Sequence, residues 1–96
     1  MQYATDVELR IRPNLDIPTV IPEEERPKLQ AIVVMYIGPD GKILKSEMAE
    51  RSGNRLFDDA LMRAIQRSSP LPAPPEELKY RVMRDGFEIT FRGRPR

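Results

Sequence analysis

The chain contains neither histidine nor cysteine, so the side chains that could do covalent or proton-transfer chemistry are few. A nucleophile would have to be Ser68 or Ser69 activated by a lysine, and Lys79 stands at no spacing that implies such a pair. Carboxylate chemistry needs two acids held across a cleft. The acids here fall in turns and helix starts: Glu23-Glu24-Glu25 directly after Pro22, and Asp58 beside Asp59. Adjacent residues on a helix point about 100° apart, so those two aspartates cannot share a metal without outside ligands. Ser52-Gly53-Asn54 is too short for a phosphate-cradling loop. Without thiolates there is neither a disulfide nor a sulfur metal site. The residues thus imply no catalytic centre, no cofactor and no metal.

Three stretches carry binding chemistry instead. Arg92-Gly93-Arg94-Pro95 has the short core of a minor-groove hook, but a formal net charge of +1 provides no supporting basic face, and nucleic acid is not expected as a partner. Those arginines, with Arg84 and Arg96, read more simply as charges that keep a sheet edge soluble. Ser69 to Pro75 (SPLPAPP) contains a PxxP motif. Lying between core elements, it reads better as a stiff crossover with Leu71 tucked inward. The third stretch works through its backbone. Phe87 to Arg92 alternates strictly, with Phe87, Ile89 and Phe91 on one face and Glu88, Thr90 and Arg92 on the other, as in a half-buried antiparallel strand. As the last element of a small sheet it leaves N–H and C=O groups unpaired, and an extended chain can pair with them. These six residues are the candidate partner-binding edge.

The elements that would position that edge are legible around residues 30–75. Gln30 to Ile37 (QAIVVMYI) is a short apolar run rich in β-branched residues, as expected of a strand flanked on both sides. Gly38-Pro39-Asp40-Gly41 supplies turn chemistry: a preset φ at Pro39, a side-chain acceptor at Asp40, and freedom for positive φ at Gly41. Lys42 to Glu50 returns with a less clean alternation. Asn54 or Ser52 can cap a following helix, in which Phe57, Ala60, Leu61, Ala64 and Ile65 make a continuous apolar stripe. Asp58 and Asp59 near its start and Arg63 and Arg67 near its end suit its dipole. Upstream, Tyr3, Val7 and Ile11 recur at helical spacing until Pro13. Downstream, Pro75-Glu76-Glu77-Leu78 opens a short helix, with Leu78 and Val82 on one face and Gly86 closing it.

The expected organisation is one α+β domain over residues 1–96, a three-stranded antiparallel sheet packed against two main helices. A first helix covers 1–13, a proline-rich connector 14–28, the hairpin 29–51, the second helix 54–69, a crossover with a short helix 70–86, and the last strand 87–92. No segment approaches the roughly 18 apolar residues of a membrane span, so direct membrane insertion of this domain is not expected.

Ile37-Gly38-Pro39-Asp40-Gly41-Lys42-Ile43, Arg51-Ser52-Gly53-Asn54, Phe57-Asp58 with Ala60, Ala64-Ile65, and Pro70-Leu71-Pro72 with Pro74-Pro75 stand in this order. Together they resemble the C-terminal domain of TonB and TolA proteins, in particular the TolA-like energy transducer branch. The chain departs from that pattern at Pro13, where relatives often have a longer first helix, and at Leu15, where many have Trp. It also has no tyrosine–proline motif. The resemblance implies a periplasmic domain of an inner-membrane-anchored protein, with anchor and linker upstream of Met1 and, through that N-terminal part, an inner-membrane complex as a further partner. It further implies transfer of inner-membrane energy or force to an outer-membrane or periplasmic partner, docked by strand addition at the last strand. The same domain type recurs as a connector in motility and other trans-envelope machines. A six-residue strand buries less than a standard interface of ~1,600 Å², so weak binding is expected, by a monomer or weak dimer.

Overall fold

The structure, a computed structural model, describes residues 2–93. Its elements run α1 (Gln2–Ile11), two 3-10 turns at Arg12–Asn14 and Arg26–Lys28, β1 (Gln30–Ile37), β2 (Ile43–Glu50), α2 (Arg55–Arg67), α3 (Lys79–Arg84) and β3 (Phe87–Arg92). The strands form one antiparallel sheet in the order β2-β1-β3. The fold is therefore α+β with an open three-stranded sheet, as the pattern implied.

β1 occupies the centre because it alone is apolar on both faces. Ala31, Val33, Met35 and Ile37 are fully buried, whereas Ile32, Val34 and Tyr36 are half-buried on the other face. The buried face is roofed by two helices. α2 contributes Phe57, Ala60, Leu61, Ala64 and Ile65, and α1 contributes Tyr3, Val7 and Ile11, all at most 4% exposed. Leu9, off that stripe, is in water, as is Leu56.

Local chemistry fixes the ends of these elements. Asn54, in extended conformation, accepts the Phe57 N–H on its side-chain oxygen at 3.2 Å, which satisfies one otherwise orphaned donor of α2. Asn54→Ala is expected to cost about 1 kcal/mol, read as a lower urea midpoint at unchanged slope. Asp58, one of the two acids at the helix start, is only 3% exposed. Its Oδ1 accepts the Ser52 N–H at 3.2 Å, which pins the β2–α2 loop to the helix. At the other end Ser68 donates to the Ala64 carbonyl and accepts from the Asn14 amide, each at 2.7 Å, tying the connector to α2.

The Gly38–Gly41 turn closes with Gly41 N–H on the Gly38 carbonyl, and Asp40 Oδ1 takes the Lys42 N–H. Gly41 adopts φ +92°. The acidic run lies in an exposed turn before the 3-10 turn at Arg26.

The proline-rich crossover is bound into the domain rather than presented. Leu71 and Pro74 are buried. Leu71 donates its N–H to the Gly41 carbonyl at 2.8 Å, and Tyr3 donates its hydroxyl to the Pro72 carbonyl at 2.6 Å. Pro70 and Pro75 are exposed, but Pro74 is buried and Pro72 is half-buried with its carbonyl engaged, so the segment acts as a crossover pinned to the hairpin turn through Leu71.

Burial first, and the nearby Asp6 carboxylate second, push the Tyr3 phenol up to about 12. The folded state thus holds the proton more tightly than an unfolded tyrosine near 10. The stabilisation is complete below about pH 10 and disappears as pH rises toward 12. Alkaline unfolding followed by circular dichroism is expected to show this slope, and Tyr3→Phe to flatten it.

Candidate interaction site

β3 is an edge strand whose outer side no other strand of the described residues covers. Its register against β1 is unbroken: Gln30 opposes Arg92, Ala31 Phe91, Ile32 Thr90, Val33 Ile89, Val34 Glu88 and Met35 Phe87. Just past the strand, Gly93 donates its N–H to the Leu29 carbonyl at 3.1 Å. In an antiparallel pair hydrogen-bonded and non-bonded positions alternate, so this bond sets the phase of the ladder. Phe91, Ile89 and Phe87 direct their N–H and C=O groups at β1. Glu88, Thr90 and Arg92 direct theirs outward.

The side chains divide in the same way. Ile89 and Phe91 are 4% and 1% exposed, and Phe87 is half-buried against the Tyr3 ring at a centroid distance of 5.5 Å. Glu88, Thr90 and Arg92 are exposed. The structure therefore places all six candidate residues on one strand, but gives them two roles. Three anchor the strand to the domain, and the other three hold the vacant backbone groups. Arg92 Nη1 donates to Gln30 Oε1 at 2.7 Å, which joins the two strands on the wet face.

The ends of this edge are fixed as well. At the C-terminal end the 3-10 turn at Arg26–Lys28 packs so closely that a Cβ on Gly93 would fall 2.5 Å from the Arg26 carbonyl oxygen. At the N-terminal end α3, which packs on β1, leads into the start of β3 through Asp85 and Gly86. A small cleft opens there between Leu78, Arg81, Val82, Gly86 and Phe87. Leu78 and Val82 are the residues whose spacing predicts a helix face, and Arg81 between them carries no periodic signal that would single it out.

The opposite edge, β2, is built differently. Its pairing with β1 shifts between Ile32 and Val33 and again between Tyr36 and Ile37. Each shift is a bulge, which breaks the row of evenly spaced backbone groups and twists the strand. Bulges are a standard means of blunting an edge against further pairing. Lys45 adds an ion pair with Glu47 at 3.0 Å and lies over the Tyr36 ring. A groove of about 270 Å³ lies beside this strand, lined by Ile43, Leu44, Lys45, Ser46, Gln66 and Ser69.

That groove does bring a serine and a lysine to one place, although not the pair the sequence offered. The hydrogen bond and charge of Glu47 hold the Lys45 ammonium above its ordinary range, so it keeps its proton and cannot accept one from a serine. Lys79 is engaged with Glu76 at 2.7 Å, which raises it in the same sense. The Ser68 hydroxyl is used up in capping. Asp58 is committed to Ser52 and Asp59 is near Arg55. Among the described residues no group of three or more His, Cys, Asp or Glu side chains could hold a metal, and no helix is long and apolar enough to cross a membrane. Of the hook-like tail, Arg92 and Gly93 are described; Arg94, Pro95 and Arg96 lie outside the described residues.

The chain is similar to TolAIII in its solution NMR structure bound to a peptide derived from the N-terminus of TolB. That match has a TM-score of 0.71 and 18% sequence identity, and covers 97% of this chain and 72% of the other. At that identity the likeness establishes a shared fold. No curated protein matches the chain. The family described as TonB C terminal matches residues 1–91. With nearly the whole chain covered, and with the turn, helix and crossover motifs in place, the protein belongs to the TonB C-terminal family.

Proposed function

We propose that this domain is a non-enzymatic, periplasmic interaction module of an inner-membrane-anchored energy- or force-transducing protein. It binds an extended segment of an outer-membrane or periplasmic partner by strand addition along β3. The observation that carries this reading is the unbroken, outward-facing row of backbone groups at Glu88, Thr90 and Arg92, on a sheet whose other edge is twice bulged. Family membership supports the envelope setting, and the peptide held by the structurally similar TolAIII supports a peptide as ligand. Main-chain bonds would supply affinity and the alternating side chains would supply selectivity. A short added strand gives a small interface, suited to a contact that is made and released under load.

The test is capture of envelope proteins by immobilised wild-type domain and by a folded Thr90→Pro variant. An outer-membrane or periplasmic protein retained by the first and lost by the second supports the proposal. Equal retention by both would refute docking at this edge.

A further inference from the structure

The cleft at the start of β3 is lined in part by Phe87, the neighbour in the chain of Glu88, where the outward-facing backbone positions begin. It measures about 90 Å³ and is lined by Leu78, Arg81, Val82, Gly86 and Phe87. That is about the liquid volume of three waters, enough for a short aliphatic side chain. Its walls are mostly apolar: Val82 is 2% exposed, and Leu78 and Phe87 are half-buried. Arg81 is the exception. It is exposed, and among the described residues its guanidinium has neither ion pair nor hydrogen bond. The cations on either side of it in α3 are both engaged, Lys79 with Glu76 and Arg84 with Asp85.

We infer that the segment added to β3 extends past the Phe87 end, placing an apolar side chain in this cleft and a carboxylate beside Arg81. The inference rests on the strand-addition reading and goes further by giving the partner its chemistry: an extended segment with an apolar residue next to an acidic one, just outside the paired stretch. Apolar burial in the cleft fixes the register of the added strand, which backbone pairing alone leaves free to slip by two residues. The unpaired cation selects against a basic residue at the same place.

The probes are synthetic peptides with one alternating valine–threonine six-residue centre, flanked at both ends so that either strand direction is served. One set carries leucine and glutamate in the flanks, the second leucine and lysine, and the third alanine and glutamate. Binding is followed by amide chemical shifts in the wild-type chain and in Arg81→Glu and Arg81→Gln. The leucine–glutamate peptide is expected to bind several-fold tighter than the leucine–lysine one at low salt. Arg81→Glu should reverse that order and Arg81→Gln should abolish it. The alanine flank should weaken binding by about tenfold. Equal binding of the glutamate and lysine peptides, while the Glu88, Thr90 and Arg92 amides shift, overturns the cleft inference and leaves strand addition standing. Absence of shifts at those three amides with every probe overturns strand addition and this inference with it.

Discussion

Thr90→Pro is expected to fold normally and to lose at least tenfold in partner affinity. The Thr90 N–H faces away from β1, so the ring removes no bond from the folded domain, and proline is tolerated on an edge strand in that position. In the complex the same ring deletes a ladder donor and pushes its methylenes into the incoming backbone. The lost hydrogen bond is worth about 1 kcal/mol, and the steric conflict adds to it. Ile89→Pro, one residue away, is expected to behave in the opposite way. Its N–H belongs to the β1 ladder opposite Val33, so the substitution should cost a large part of the 5–15 kcal/mol available to a domain of this kind. Calorimetry of both variants separates them: Thr90→Pro should keep its unfolding transition near that of the wild type, and Ile89→Pro should not.

Gly41→Ala is expected to be the most damaging substitution in the turn region, costing about 3 kcal/mol or more. Two effects combine at this residue. Its φ of +92° is one that side-chain-bearing residues rarely adopt. A Cβ there would also lie 2.0 Å from the Leu71 carbonyl oxygen. Because Leu71 bonds back to the Gly41 carbonyl, the methyl group cannot be admitted without lifting the crossover off the hairpin. Gly53 is the control. It also has positive φ, at +93°, but a Cβ there meets nothing within 4 Å, so Gly53→Ala should show the backbone cost alone. Urea unfolding of the two variants measures the difference directly.

Much of this architecture is legible in the sequence because periodicity and turn chemistry agree with each other. The i, i+3, i+4 stripe from Phe57 to Ile65 is buried throughout, and the strict alternation of Phe87–Arg92 appears as alternating burial. The uneven pattern of Lys42–Glu50 has a physical cause that periodicity could not reveal. The two register shifts put Leu44 and Ala49 out of step with β1, so the apolar residues of β2 cannot alternate evenly. A carboxylate near a helix start is usually solvated, whereas Asp58 is buried under the loop it holds, which no local pattern signals. The phase of β3 was equally hidden. Side-chain alternation tells which face is buried, but only the Gly93–Leu29 bond tells which residues present their backbone to a partner. The cleft at Arg81 depends on how α3 meets β3, which local sequence does not encode.

Hydrogen exchange of the six β3 amides, with and without a partner segment, tests the outward-facing edge most directly. In the free chain Phe87, Ile89 and Phe91 should be protected while Glu88, Thr90 and Arg92 exchange quickly, and an added partner should slow the latter three. Uniform protection of all six in the free chain, or a bound partner that leaves Glu88, Thr90 and Arg92 exchanging as before, would contradict it.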